Sequence, residues 1–287
     1  MGDALIFGIS GQDGFYLKQL LESFGFTVTG YTRDTVGGLL SREFVEKEVN
    51  RLRPDFIFHL AAVSSTRHDF IFENHEVISG GALNILEAVF RCSPKTKVFI
   101  TGSGVQFKNR NLPVSETDVF EASSPYSVSR IHSVYAARYY RRLGVQVYVG
   151  YLFHHESPLR KAGHLTKQIA DFVNRINGNV AEKIVIGDVS VRKEYGFAGD
   201  IVNGIWTLVS QDKVFEAAIG TGIAYSVADW LEACFLRRGL DWHDFVELKK
   251  DGFVPEYSVL VSNPKTIGAL GWKPNVSLEN LAEMMLQ

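Results

Sequence analysis

A glycine-rich loop near the N-terminus has the residue types and spacing that bind a pyrophosphate. Its sequence is Gly8-Ile9-Ser10-Gly11-Gln12-Asp13-Gly14, between an apolar stretch at residues 4–7 and a helical pattern that begins near Phe15. Glycine lets the backbone approach phosphates closely, and a helix N-terminus offers unpaired N–H groups and a positive dipole. An ordinary glycine-rich turn is the alternative. The loop predicts a nucleotide cofactor held by Gly8, Ser10, Gly11, Gln12, Asp13 and Gly14.

The residues after the second predicted strand bear on which cofactor is bound. Thr32-Arg33-Asp34 offers both signs of charge at this point. Arg33 favours a 2′-phosphate and therefore NADP, whereas Asp34 can accept hydrogen bonds from a ribose diol and favours NAD. Either residue could also be a solvated turn charge. We predict NADP with Arg33 as a cofactor-binding residue, because Arg33 comes first, and NAD stays open.

Two further groups of residues raise the question of a metal. In His154-His155-Glu156 the side chains are adjacent, so they point in different directions on most backbones, and no distant ligand set completes a zinc-like site. Cys92 and Cys234 lie far apart without CxxC spacing. We predict no metal site and no disulfide framework, and the cysteines favour a reducing cytoplasm.

Strand and helix patterns alternate through the first half of the chain. The predicted strands are residues 4–7, 27–31, 55–60, 98–101 and 145–151, and the predicted helices are residues 15–24, 43–52, 77–90 and 125–143. This alternation predicts an α/β fold with a Rossmann-type doubly wound parallel sheet.

The second half is less regular. Its predicted elements are helices at 165–177, 201–210 and 227–238 and a strand at 184–187. We predict a dinucleotide-binding domain at residues 1–152, completed by about 188–218. A smaller C-terminal α/β substrate domain is predicted from residues 153–187 and 219–287, because ligands bind outside the carboxyl ends of the strands in open sheets.

Composition excludes several other classes. The 287 residues include 46% hydrophobic and 22% charged residues, which is typical of a globular protein with a sizeable core. The formal net charge is -2, so no global field recruits nucleic acid or an anionic membrane. No apolar run reaches the roughly 20 residues that span a bilayer. We expect neither a targeting segment, a membrane partner nor a nucleic-acid partner.

Several ordered motifs resemble one enzyme family. The glycine spacing, Phe58-His59-Leu60-Ala61-Ala62 and Ser124-Pro125-Tyr126 resemble the extended short-chain dehydrogenase/reductase family. Residues 153–158, 193–200 and 270–274 are similar to successive signatures of GDP-mannose 4,6-dehydratases, and the likeness covers nearly the whole chain. The resemblance implies bound NADP, a GDP-hexose as the nucleotide-diphospho-sugar substrate, and a homodimer or homotetramer.

The resemblance also assigns catalytic roles. In the family a Ser or Thr and a Tyr hold the sugar 4-hydroxyl, and a Lys four residues after the Tyr favours its phenolate and grips the nicotinamide ribose. Here these positions are Ser103, Tyr126 and Arg130. A phenol has a pKa near 10, so a nearby cation assists its deprotonation. Arginine keeps the charge, but its planar head is longer. The implied cofactor-binding residues are Leu60, Ala61, Ala62, Tyr126 and Arg130.

Two departures from the family pattern bear on the reaction. The family's Glu that removes the C5 proton is replaced by Val105, which cannot titrate. The motifs favour elimination, whereas Val105 favours 4-keto reduction or epimerisation. A nearby acid such as Glu116 is another candidate for the base. The family also has a further strand that lines the adenine of the cofactor. This chain has only residues 35–50 at that point, so we expect the part of the site that contacts the adenine to be shortened or rebuilt.

On the substrate side, the resemblance implies contacts from two lysines. Lys167 lies in a segment similar to the family's Thr-Arg-Lys run that meets the diphosphate, and Lys193 replaces an Arg with the same task. The family's later Arg-Pro-x-Glu element appears as Phe253-Val254-Pro255-Glu256, which has one cation fewer. The predicted substrate-binding residues are Ser64, His154, Glu156, Lys167 and Lys193, although the lysines could merely be solvated and Ser64 could be a turn hydroxyl.

Two functions from different classes follow from these residues. The first is an NAD(P)-dependent nucleotide-sugar enzyme that acts at C4, as a dehydratase, ketoreductase or epimerase. The second is a catalytically impaired relative that serves as a sugar-nucleotide sensor or a regulatory partner subunit, because Val105, Arg130 and the shortened adenine region are three losses.

Overall fold

The computed structural model describes residues 2–32, 37–176, 182–249 and 257–287. Its strands are β1 (Asp3–Phe7), β2 (Thr27–Tyr31), β3 (Phe56–His59), β4 (Lys97–Ser103), β5 (Val147–Leu152), β6 (His155–Glu156), β7 (Ile184–Ile186), β8 (Arg192–Lys193), β9 (Gly196–Phe197), β10 (Glu216–Ile219), β11 (Tyr225–Ser226), β12 (Val246–Leu248) and β13 (Val259–Leu260). Its α-helices are α1 (Gln12–Ser23), α2 (Gly37–Leu40), α3 (Arg42–Leu52), α4 (Ile71–Asn74), α5 (Gly81–Cys92), α6 (Pro125–Arg142), α7 (Leu165–Arg175), α8 (Ala198–Val209), α9 (Val227–Leu236), α10 (Lys265–Ala269) and α11 (Leu278–Met285). A π-helix, His75–Gly80, leads into α5.

Six parallel strands form the central sheet in the order β10-β5-β4-β3-β1-β2. Helices α1 and α8 cover one face, and α3, α5 and α6 cover the other. The inner strands β1, β3, β4 and β5 are largely buried apolar runs, as expected for a parallel sheet covered on both faces, whereas the edge strand β2 has no buried residue. This arrangement confirms the predicted Rossmann-type doubly wound sheet. Its carboxyl edge carries the glycine loop, Ser103 and the segment that follows β5.

The C-terminal half has a separate apolar core between α7, α9 and α11. Three small sheets accompany it: β11-β8-β13, β12-β7 and β6-β9. Strand β10, which sequence patterns did not identify, returns the chain to the edge of the main sheet beside β5. The proposed division into two domains at residues 152, 188 and 218 remains a prediction.

The sheet ends at β2 within the described residues, where β2 pairs with β1 alone. Residues 35–50 stand where the family has a further strand, and in the described part of this stretch Gly37–Leu40 is a helical turn. Leu39 is fully buried there, and its carbonyl accepts a hydrogen bond of 2.8 Å from Asn84 Nδ2 of α5. Arg33 and Asp34, and with them the choice between NADP and NAD, lie outside the described residues.

The predicted helices and strands of the first half all occur, with shifts of a few residues at their ends. Helix α6 begins where Pro125 stands at the first turn, behind Ser124, whose side chain accepts a hydrogen bond from Ser127 N. This is the usual N-cap arrangement. Across the described ranges, no helix is both long and apolar enough to cross a bilayer.

Gly14 offers a test of the close packing between loop and helix. A Cβ on Gly14 would lie 2.6 Å from Ile9 Cα and even nearer to the Gly8 carbonyl oxygen, and neither backbone atom can yield cheaply. We expect Gly14→Ala to lower the free energy of unfolding in urea by about 2 kcal/mol. The matched Gly163→Ala change, where a Cβ meets nothing within 4 Å, should cost under about 0.5 kcal/mol. Equal losses in both variants would contradict this packing.

Candidate active site

The glycine loop forms a cradle at the carboxyl ends of β1 and β3. Gly8 has φ +96°, and a Cβ there would lie 2.7 Å from Ala61 N, so the loop needs glycine both for its backbone conformation and for contact with the Leu60-Ala61 backbone. The Tyr31 carbonyl accepts hydrogen bonds from Gly8 N and Ile9 N at 2.9 and 3.3 Å. Gly11 is the N-cap of α1 and supplies no side-chain cap. The first N–H groups of α1 are therefore suited to bind an anion.

The two polar residues of the loop bind the segment that follows β5. Asp13 Oδ1 lies 2.8 Å from His155 Nε2. Gln12 Nε2 donates to the His155 carbonyl at 3.3 Å, and Gln12 Oε1 accepts from Ser157 Oγ at 3.0 Å. The sequence predicted Gln12 and Asp13 as cofactor-binding residues. Their side chains contact the chain itself, which leaves their backbone N–H groups for a phosphate.

The Asp13–His155 contact is a largely buried ion pair, in which the His155 side chain is 11% and the Asp13 side chain 22% exposed. Burial alone would raise the pKa of Asp13, but attraction to His155, and then to Arg160 and Arg130, outweighs it and lowers the pKa. Burial likewise opposes a charge on His155, yet Asp13 raises the pKa of His155 above its usual value. Both shifts favour the same charged state, so the pair fastens the loop to the 153–157 segment.

Ser103 and Tyr126 are brought to the same edge of the sheet. Ser103 ends β4, and its backbone N donates to Gln106 Oε1 at 2.8 Å. Tyr126 lies in the first turn of α6, which packs against β4 and the turn after it. Arg130 Nη1 donates to the Thr101 carbonyl at 2.6 Å and so ties α6 to β4 two residues before Ser103.

Arg130 is a buried cation beside the tyrosine. It is 2% exposed, and its guanidinium carbon lies 5.0 Å from the centroid of the Tyr126 ring. No carboxylate of the described residues pairs with it, and its Nε has no acceptor there. A buried guanidinium without a counter-ion is costly, so these residues fit an anionic or strongly polar group at this position. The cradle at Gly8 and this unsatisfied donor both agree with a dinucleotide.

A buried histidine supports the same region. His59, at the end of β3, is fully buried, and its Nε2 lies 3.1 Å from the Ile78 carbonyl. Burial and the nearby Arg130 lower the pKa of His59 to about 4, so the ring is neutral and can donate to that carbonyl. The His59 carbonyl accepts from Thr101 Oγ1 at 2.8 Å. The sequence motif containing His59 gave no sign of this role.

The structure bears on the missing carboxylate. Val105 is half-buried and packs against the core of the sheet. Glu116, the other candidate base, accepts hydrogen bonds from Ala218 N at 3.3 Å and from the Thr266 hydroxyl. Both of its oxygens are therefore occupied in fastening α10 and β10, and Glu116 is a structural residue. The interpretation of Val105 as a lost base stands as a prediction.

The predicted substrate residues do not all lie together. His154, Glu156 and Lys193 form one buried cluster with Arg160: His154 Nε2 is 3.0 Å from Lys193 Nζ and 2.9 Å from Glu156 Oε1, and Glu156 Oε2 is 2.9 Å from Arg160 Nε. Lys167 pairs instead with Asp171 of the same helix at 2.7 Å.

Other predicted positions differ in their exposure. Ser64 is exposed in the loop after β3, and Ser10 and Gly11 are exposed in the glycine loop. Ala62 is half-buried. Val254-Pro255-Glu256 lies outside the described residues. Within the described ranges no group of three or more His, Cys, Asp or Glu residues could hold a metal ion.

Sequence reasoning missed His155 and Arg160 as site residues. His155 pairs with the glycine loop, and Arg160 lies near enough to lower the pKa values of Asp13 and His154. The available signal was a run of charged residues at a strand end, but only the β6–β9 pairing shows which way each side chain points.

Comparison with known proteins identifies a family. A family model described as GDP-mannose 4,6 dehydratase matches residues 35–285. GDP-mannose 4,6 dehydratase 1 of Arabidopsis thaliana is 30% identical to this chain over an alignment of 318 residues, gaps included. The alignment covers 99% of this chain and 88% of that protein.

Solved structures share the fold. RMD from Pseudomonas aeruginosa, complexed with NADPH, matches this chain with a TM-score of 0.85 at 18% identity. The superposition covers 100% of this chain and 96% of the RMD chain. MoeE5, in complex with UDP-glucuronic acid and NAD, has a TM-score of 0.84 at 20% identity and covers 99% of this chain and 98% of its own. At this identity the likeness is one of fold.

The Asp13–His155 pair predicts a pH-dependent stability. The folded-state pKa of His155 is raised, so its contribution is complete below the unfolded value near 6.5 and is lost as the pH rises through the folded value. Asp13 has a lowered pKa, so its contribution is present above about pH 4 and is lost in acid. We expect His155→Gln to lower the unfolding free energy by about 3 kcal/mol at about pH 6, and by less at about pH 9.

Urea unfolding at the two pH values measures this effect. His243→Gln is the control, because the His243–Asp241 pair has a similar distance of 2.7 Å but side chains that are 68% and 64% exposed. It should change the free energy by less than about 0.5 kcal/mol at either pH. A loss in His155→Gln that does not depend on pH would show that the pair is not ionised.

Proposed function

Because this chain belongs to the GDP-mannose 4,6-dehydratase family, we propose that it is an NAD(P)-dependent nucleotide-sugar enzyme that transfers a hydride at C4 of a GDP-hexose. The observation that carries the proposal is the joint placement of the glycine cradle, Ser103, Tyr126 and the buried Arg130 at one edge of the sheet. We infer NADP as the cofactor, with NAD as the alternative, since structural neighbours carry NADPH or NAD.

The residues divide the work of binding and proton transfer. Gly8, Gly14 and the N-terminus of α1 would hold the pyrophosphate, and Arg130 would lie beside the nicotinamide ribose. A bound nicotinamide supplies the hydride donor or acceptor. Tyr126 exchanges the proton of the C4 hydroxyl through its phenolic oxygen, and Ser103 orients that hydroxyl. The Arg130 guanidinium carbon lies 5.0 Å from the centroid of the Tyr126 ring, and this cation–π contact helps to hold the ring in place.

Reduction or epimerisation of a 4-keto sugar fits the described residues better than elimination. Elimination requires a base at C5. Val105 has no titratable group, and both oxygens of Glu116 are engaged elsewhere. Chemistry at C4 alone needs the side chains of Ser103 and Tyr126 and a bound cofactor. This chain has both residues and the glycine cradle that would hold the cofactor.

The substrate's diphosphate is assigned to the cluster near β8. Lys193 and Arg160 are two cations beside one carboxylate, Glu156, so the cluster has an excess of positive charge. Lys167 is a weaker candidate, because Asp171 already pairs with it. MoeE5 holds a UDP sugar, which supports a nucleotide sugar as the ligand class.

We also infer a homodimer in the cytoplasm. Helices α5 and α6 expose large apolar side chains along one surface, where Phe90 is 43%, Val128 49%, Tyr135 59% and Tyr139 59% exposed. The family resemblance implies that such helices pair across a dimer, and an exposed aromatic surface of this kind marks an interaction site. Cys92 and Cys234 are unpaired, which agrees with a reducing compartment.

Restoring the family residues tests the assigned roles. We expect Val105→Glu combined with Arg130→Lys to raise the rate of GDP-mannose dehydration with NADP by about 100-fold or more, because a positioned base contributes that much. Formation of the 4-keto product is the measurement. Adding Tyr126→Phe should remove the gain while leaving cofactor binding intact. If the folded, cofactor-binding double variant shows no gain, Val105 does not occupy the position of the base.

A further inference from the structure

The ring of His154 is fixed by a backbone carbonyl. Its Nδ1 lies 2.8 Å from the carbonyl oxygen of Glu194, and an oxygen of this kind can only accept. Nδ1 therefore carries a hydrogen, and the lone pair of the neutral ring is on Nε2. The ring also packs edge-on against Tyr195, with centroids 5.5 Å apart, so it cannot turn freely.

His154 Nε2 lies close to two side chains that require opposite protonation states of this nitrogen. Lys193 Nζ, at 3.0 Å, donates and needs a lone pair on Nε2. Glu156 Oε1, at 2.9 Å, accepts and needs a hydrogen on Nε2. A neutral ring satisfies the lysine, and a protonated ring satisfies the glutamate. Glu156 Oε2 is already ion-paired with Arg160 Nε at 2.9 Å, so Oε1 is the oxygen that faces the His154 ring.

Without a ligand the charges favour the neutral ring. Burial and the Lys193 ammonium lower the pKa of His154 to about 4, with Arg160 acting in the same direction and Glu156 against it. Burial lowers the pKa of Lys193 to about 8, which still leaves it mostly charged at neutral pH. His164 stands beyond Arg160, and its own pKa is lowered chiefly by burial. Among the described residues, Lys193, Glu156 and Arg160 are thus the charged groups that act on His154.

We propose that His154 takes up a proton when a nucleoside diphosphate binds at Lys193, and that it thereby makes the site select a diphosphate over a less charged ligand. The inference rests on the proposed function, which places the diphosphate here. The anion attracts Lys193 Nζ away from Nε2 and offsets the repulsion from Lys193 and Arg160. Nε2 then accepts a proton from solvent and carries a positive charge beside Glu156 Oε1, 2.9 Å away.

This coupling has a thermodynamic signature. A ligand that raises the pKa of one group from below to above the working pH takes up about one proton and loses about tenfold in affinity per pH unit between the two values. A monophosphate, with less charge, should cause less uptake. His154 is then a specificity-determining residue, whereas a merely structural histidine would take up no proton.

Calorimetric titration with GDP and with GMP tests the proposal. Wild type is titrated at about pH 7 in buffers of different ionisation enthalpy, and again at about pH 8. We expect uptake of about one proton for GDP, less for GMP, and about tenfold weaker GDP binding at the higher pH. At about pH 7, where Lys193 is already mostly charged, His154→Gln should bind GDP with almost no proton uptake and with a smaller preference over GMP. His164→Gln, which removes a nearby histidine, should behave as wild type.

The outcomes separate this inference from the function on which it rests. GDP binding without proton uptake, or with uptake that persists in His154→Gln, overturns the role of His154 and leaves the nucleotide-sugar function standing. Failure of the folded wild type to bind GDP overturns both. Uptake that is lost only in His154→Gln supports the proposal.

Discussion

The ion pair between Asp13 and His155 is the contact on which the arrangement of the site depends. It joins the first turn of α1 to the chain that leaves β5, and the bonds from Gln12 reinforce it. His155 thus fixes the direction in which its neighbour His154 faces the Lys193 cluster. Through this one pair, the glycine loop and the Lys193 cluster share a common support. A change in the charge of the pair would disturb both, because buried charges without partners are expensive.

The second constraint is the buried guanidinium of Arg130. A lysine at this position could extend a single ammonium towards a ribose, whereas arginine is planar and is held here by the Thr101 carbonyl and the Tyr126 ring. These two contacts hold the guanidinium beside the tyrosine. Under the proposed function, Arg130 and Tyr126 would serve proton exchange at C4, whereas Val105 would supply no base for elimination at C5. Val105 and Arg130, which replace the family's Glu and Lys, are therefore both consistent with an enzyme that acts at C4 and does not catalyse elimination.

Sequence patterns predicted the sheet and the glycine loop because both depend on local residues: apolar runs, glycine spacing and the Ser124-Pro125 helix start. They did not predict β10, whose short run gains its identity only by pairing with β5. They also could not show that Asp13 contacts His155 or that Glu116 is engaged by α10, since such contacts join residues more than 100 positions apart. Side-chain direction at strand ends was the missing information.

The most direct test of the account is NADPH consumption by the wild-type protein with GDP-4-keto-6-deoxymannose, compared with Tyr126→Phe. The account predicts that the wild type oxidises NADPH and reduces C4, and that the variant is slower by about 100-fold or more while it still binds the cofactor. Absence of turnover in folded, cofactor-loaded wild type would contradict it. The chain would then be better explained as a sugar-nucleotide sensor or a partner subunit than as an enzyme.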